Sequence, residues 1–224
     1  MAKIDKRLIW SGWLRLSHLL VGLAVLMLIG SGWLAANAPS LEGLVVDLHY
    51  YAASGLVFGL ALRLVLMFVG SPIESIARLV PEDNEWGQVK DTLRFYLGFG
   101  KAPLPRWHAH NPLWKPIYLL LYLCLLIMVI SGWLRIDSPV VGGIYLPSIH
   151  ALFAGIVTWI AVLHVISVVL HDFRGEAADV SGIINGYRHF VIDTPEAAQV
   201  NKPMAEIRLD QIGGGKPPKD GPSA

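Results

Sequence analysis

An all-α bundle of four transmembrane helices, with both termini on the cytoplasmic side and a long cytoplasmic loop carrying an interfacial helix, is the fold this sequence predicts. Three observations predict it. Of 224 residues, 54% are hydrophobic and only 16% charged, whereas an ordinary soluble domain has roughly 25% charged residues. The hydrophobicity gathers in four runs, residues 14–34, 45–69, 116–134 and 148–170, each close to the ~20 residues a helix needs to cross a bilayer. Lysine and arginine then sort the connections onto two sides. Lys3, Lys6, Arg7 and Arg15 lie at the start; Arg78, Lys90, Arg94, Lys101, Arg106 and Lys115 fill the middle segment; Arg174, Arg188, Lys202, Arg208, Lys216 and Lys219 follow the fourth run. Segment 35–44 has no basic residue, and the connection after the third run has only Arg135. The short loops therefore face outward, and the net charge of +1 is explained by topology rather than by nucleic-acid binding.

Taken in order, the first run lacks a small-residue cleavage motif and contains an arginine and a histidine, so it reads as a retained helix. The middle segment, 71–115, is too long for a plain connection. Trp86, Val89, Leu93 and Tyr96 recur there at spacings of three and four, which predicts a helix at the membrane surface. The stretch KAPLPRWHAHNPLWKP is proline-rich and should be irregular, with Pro116 suited to the first turn of the third span. Beyond His171 the chain turns polar, and GGGKPPKDGPSA has linker composition. Residues 1–190 thus read as one membrane domain and 191–224 as a flexible cytoplasmic tail. The single cysteine, Cys124, lies within the third run. It cannot form an internal disulfide, there is no CxxCH, and it reads as a small buried apolar residue.

The word SGWL occurs three times, at 11–14, 31–34 and 131–134. Tryptophan at a membrane interface accounts for its aromatic residue. The two outer copies also align their surroundings: Ser31 precedes His49 by eighteen residues and Ser131 precedes His150 by nineteen. This pattern fits two related helical hairpins.

Four histidines lie in the apolar runs: His18, His49, His150 and His164. Ionisable residues inside spans mark functional sites. Helices 2 and 4 enter from outside, so His49 and His150 share an outer level. His18 lies toward the cytoplasm. His164 follows His150 by fourteen residues, which is about 21 Å along a helix and nearly the same face. The expected pairs are His49 with His150 and His18 with His164. Such pairs suit six-coordinate haem b or isolated transition metals; haem is favoured, because zinc would want thiolate or carboxylate ligands that these helices do not offer. Small residues, including Gly22, Gly30, Gly55 and Gly59, would let a flat ring approach, and would equally serve helix packing. His171, seven residues beyond His164, belongs at the cytoplasmic rim near a propionate or a quinone. Arg63 follows His49 by fourteen residues and either pairs with a haem propionate or snorkels as an anchor.

RLSHLL around His18, the histidine early in helix 2, RLVLMFVGSPIESIARLV from Arg63, HNPLWKPIY, and the fourteen-residue histidine pair together resemble a known family. It is that of di-haem cytochrome b subunits of bacterial nickel–iron hydrogenases, with formate dehydrogenase gamma subunits and bacterial cytochromes b561. The resemblance spans Trp10 to about Arg188. It implies two b haems at His18, His49, His150 and His164. It further implies electron transfer across the bacterial inner membrane between quinone and a periplasmic or membrane-attached redox subunit: a hydrogenase, a dehydrogenase or a c-type cytochrome. Quinone is expected near Asn111 and His171, and Asn111 can equally cap the third span. The family's usual Gly-His-Asn-Pro reads Ala109-His110-Asn111-Pro112 here. The alternative function is a stand-alone b561-type superoxide:quinone oxidoreductase, whose members tend to have a shorter middle loop. Membrane lipid is an expected partner, and a homodimer is left open.

Overall fold

The structure, a computed structural model, describes residues 3–174 and 179–192. Six helices carry the fold: α1 (Gly12–Asn37), α2 (Glu42–Val69), α3 (Trp86–Leu97), α4 (Trp114–Leu134), α5 (Leu146–Arg174) and α6 (Asp179–Asn185). Four of them are long and apolar enough to cross a membrane, with mean hydropathy of 2.1 to 2.4 over their best windows. The shortest of these, α4, has 21 residues, about 32 Å of helix, which covers a hydrocarbon core of about 30 Å. No more than a third of any span is buried, and Phe58, Phe68 and Leu163 are exposed. Helices this apolar on their open faces belong in lipid.

The helix starts follow local chemistry. Ser11 caps α1, its Oγ accepting from Leu14 N at 3.1 Å. Pro39 opens a single 3-10 turn, Pro39–Leu41, and α2 then begins at Glu42, three residues earlier than its apolar run. Asn111 sets up α4: its Oδ1 accepts from Leu113 N at 3.0 Å and its carbonyl accepts from Trp114 N and Lys115 N. Pro116 falls in the first turn, where its missing N–H costs nothing.

α1 packs along α2 and α4 along α5, giving two hairpins. Where they meet, Ala24, Val25, Leu56, Leu60, Cys124, Leu125 and Val157 form the core. Gly59 sets the spacing of the first hairpin: a Cβ there would lie 2.8 Å from Leu20 Cβ and 3.0 Å from Val21 N.

The middle segment does contain a helix, α3, over the expected stripe. Its buried face is Thr92 and Phe95, while Trp86 and Leu93 are exposed. Period alone could not tell which of the two adjacent faces meets protein. Two small strand pairs were not legible. β1 (Lys3–Leu8) pairs with β4 (Tyr187–Ile192). β2 (Val140–Val141) and β3 (Ile144–Tyr145) form an antiparallel hairpin between α4 and α5, turning on Gly142 and Gly143 at positive φ. The chain divides into a unit of Lys6–Phe190 and a second of Met1–Asp5 with Val191–Ala224. Of the second, Lys3–Asp5 and Val191–Ile192 are strand residues. The flexible tail expected over 191–224 lies outside the described residues from 193 onward.

Candidate functional site

The four span histidines form two facing pairs. His49 on α2 and His150 on α5 have ring centroids 6.4 Å apart; His18 on α1 and His164 on α5 are 6.3 Å apart. Two imidazoles bound in line to one metal stand about this far apart, since each side adds a bond of ~2 Å and roughly 1 Å of ring radius. Fourteen residues of α5 separate the two levels.

At the His49–His150 level, Ser31 Oγ lies 2.8 Å from His49 Nδ1, and Ser131 Oγ lies 3.1 Å from His150 Nδ1. Both serines open SGWL copies, and the tryptophans of those copies, Trp33 and Trp133, point outward. The inner level is built differently. His164 is boxed by Trp114 and Tyr118 of α4, at 5.3 and 6.0 Å. Its Nδ1 is buried without a hydrogen-bond partner.

Beyond the His18–His164 pair, three side chains converge on the hydroxyl of Tyr96 from α3. His171 Nε2 lies 2.7 Å away, Trp114 Nε1 donates at 2.9 Å, and Asn111 Nδ2 donates at 3.4 Å. The Tyr96 ring stacks on His171 at 5.5 Å, and Trp107 flanks the His171 ring at 5.2 Å. Asn111 and His171, both singled out from the sequence, thus meet on one tyrosine. The phenol oxygen thus accepts from two N–H groups and shares a hydrogen bond with His171 Nε2, in which either partner can hold the proton. Trp114 touches both the inner histidine and this cluster.

Arg63 is buried and does not reach the surface as an anchor would. Its Nη1 donates to the Glu74 carbonyl at 2.8 Å and its Nε to Tyr122 Oη at 3.1 Å. The Glu74 carboxylate accepts from Ser11, the serine of the first SGWL copy, and from Ser71 N. Burial pushes the Glu74 carboxyl up. The hydrogen bonds from Ser11 and Ser71 and the Arg63 charge outweigh burial and hold it below the usual carboxylate range.

Two further contacts shape this end. Lys115 Nζ meets both carboxylate oxygens of Glu85 at 2.6 Å, tying the start of α4 to the approach to α3. Arg188 Nη1 donates to the carbonyls of Trp107, His108 and Ala109 at 3.0 to 3.3 Å, holding the loop that leads to Asn111. His110, packed on Trp10 and Tyr118, is pushed down to about 4, first by burial and then by Arg63, Lys115 and Arg188.

The family described as prokaryotic cytochrome b561 matches residues 9–186. The chain belongs to that family. It is therefore a multi-pass membrane electron-transfer protein of the cytochrome b class, with haem b as the cofactor its family implies. Comparisons with curated proteins and with solved structures return no match. The residues of this b561 chain fit haem. Each pair offers two imidazole rings, one from each of two helices, that would hold a haem iron between them. Among the described residues, no group of three or more His, Cys, Asp or Glu gathers as a chelating site would need.

Sequence reasoning missed the roles of Tyr96, which read only as part of an interfacial stripe, of Trp114, which stood only within the HNPLWKPIY motif, and of Glu74 and Arg188. The serines of the SGWL copies were visible in their similar offsets from His49 and His150, but their contact with the rings was not.

Proposed function

We propose that this cytochrome carries electrons across the bacterial cytoplasmic membrane, between a periplasmic or membrane-attached redox subunit and the quinone pool, through two b haems. The observation that carries the reading is the pair of facing imidazole couples at two levels of one bundle. In this reading His49 and His150 ligate the outer iron and His18 and His164 the inner one. The basic residues of the termini and of the middle segment hold that end in the cytoplasm, and residues 1–190 form the cytochrome domain. When bound, haem supplies one-electron redox chemistry; the protein supplies ligands, burial and orientation.

Each residue then has a task. His49 and His150 hold the centre nearest the donor. Arg63 keeps a buried positive charge at the inner level and offers it to a propionate. Tyr96, Asn111 and His171 form the quinone-facing group: Asn111 presents an amide donor, and the Tyr96–His171 hydrogen bond supplies a proton path. Reducing one quinone to quinol takes two electrons, drawn singly from the donor side, and two protons, taken from the cytoplasm through that pair.

Haem content and spectra of single variants test the assignment. His49→Ala and His150→Ala should lose the outer spectral component and keep the inner. His18→Ala and His164→Ala should do the reverse. Tyr96→Phe, Asn111→Ala and His171→Ala should keep both haems and slow quinone-dependent oxidation of the reduced protein. Two haems in every histidine variant, or normal exchange in all three quinone-side variants, would rule the reading out.

A further inference from the structure

Ser31 and Ser131 each touch an outer histidine at Nδ1. Ser31 Oγ donates to the Met27 carbonyl at 2.7 Å, and Ser131 Oγ to the Met128 carbonyl at 3.3 Å. A hydroxyl has one hydrogen. With it committed to the helix, each Oγ offers the imidazole only lone pairs. In that arrangement the contacts at 2.8 and 3.1 Å have the ring proton on Nδ1 and the Nε2 lone pair free for a metal. The following glycine lies against the ring, closely at Gly132 and at ordinary contact distance at Gly32. A Cβ at Gly132 would lie 3.1 Å from His150 Cε1, and one at Gly32 would lie 3.9 Å from His49 Cε1. Ser-Gly is thus a seat for a histidine, built once in each hairpin.

The inner level has no such seat. His164 Nδ1 is buried and unpartnered. The neighbouring hydroxyls of Ser17 and Ser167 go to the carbonyls of Leu14 and His164 itself. The first SGWL copy places its serine on Glu74 and the α1 cap, away from any ring. Among the described residues the two levels therefore differ in the two serine–imidazole contacts.

We propose that Ser31 and Ser131 are positioning residues that lock the outer histidines in one tautomer and lower the midpoint potential of the outer redox centre relative to the inner. The proposal rests on His49 and His150 being haem ligands. An imidazole whose Nδ1–H donates to oxygen is a stronger donor at Nε2 and favours the oxidised metal. Applied at the outer level alone, this biases electron movement from the outer centre toward the inner one.

The experiment is potentiometry with optical readout on the full-length haem-loaded protein carrying Ser31→Ala, Ser131→Ala or both, beside His49→Ala. The double variant should shift the outer centre positive by about 59 mV, a tenfold change in preference between the two oxidation states for one electron. The inner centre should not move, and its intact spectrum reports the fold. Ser31→Thr and Ser131→Thr, which keep the hydroxyl, should restore the outer potential. If the alanine variants instead shed the outer haem and the threonine variants retain it, the seat is likewise supported. An unmoved outer potential with full haem content overturns the proposal, and so does an equal shift at both centres. Retention of both haems by His49→Ala would overturn the ligand assignment itself. Loss of the outer haem in His49→Ala, with unmoved potentials in the serine variants, would overturn only the role of the serines.

Discussion

Replacing Lys115 with methionine keeps the side-chain stem and removes the charge that meets Glu85. The pair is well enclosed, with side-chain exposures of 6% for Lys115 and 18% for Glu85, and both carboxylate oxygens are 2.6 Å from Nζ. Removing one partner of a buried pair costs about 3–5 kcal/mol, because the other charge is stranded. Glu85 retains some solvent, and its Oε2 still accepts from Glu82 N at 2.8 Å, which discounts the loss to about 2–3 kcal/mol. The pH dependence follows from the carboxylate. Burial raises it, but the Lys115 hydrogen bond, the Glu82 N–H and nearby basic charge outweigh burial and hold it below the usual range. A depressed carboxylate contributes stability above its ordinary value, and that stability is lost as pH falls through the folded value. The gap between wild type and Lys115→Met should therefore be widest near neutrality and narrow on acidification toward about pH 4. Adding Glu85→Gln should recover a good part of the loss, since no charge is then left stranded. The assay is thermal or denaturant unfolding in one fixed detergent at several pH values. Wild-type stability in Lys115→Met, or a deficit that grows in acid, would refute the reasoning.

Three other outcomes are expected. His110 is held at about 4 against an ordinary 6.5, so the unfolded chain takes up its proton first. The neutral-His110 contribution is full above about pH 6.5 and is lost between there and pH 4, with a ceiling on the order of 3 kcal/mol; His110→Leu should flatten that part of a stability–pH curve. Gly59→Ala puts a methyl 2.8 Å from Leu20 Cβ and should cost about 1–3 kcal/mol by overpacking, read as earlier thermal release of haem. Arg188→Ala removes the donor shared by three loop carbonyls; it should leave both haems in place, slow quinone exchange, and raise protease cleavage near residues 107–109.

The sequence by itself determined the spans and their character. Twenty-residue apolar runs have one stable state in lipid, because every backbone N–H and C=O must be paired within the segment. It also singled out the histidines and grouped them by depth, since a fixed 1.5 Å rise per residue turns spacing into height. The family followed from those residues in that order. What the sequence left open was lateral. Which side chains meet across helices depends on how the hairpins rotate and pack, and periodicity leaves that rotation free. Only the tertiary structure brought Tyr96 from a surface helix onto His171, Asn111 and Trp114, and drew Arg63 inward to the Glu74 carbonyl. The same holds for SGWL. Its tryptophan and its recurrence were legible, but the three serines do different work: one bonds a glutamate and two bond imidazoles. A local word fixes which way a serine leans on its own helix. The neighbour it meets there is decided by the packing of another helix, which no local word encodes.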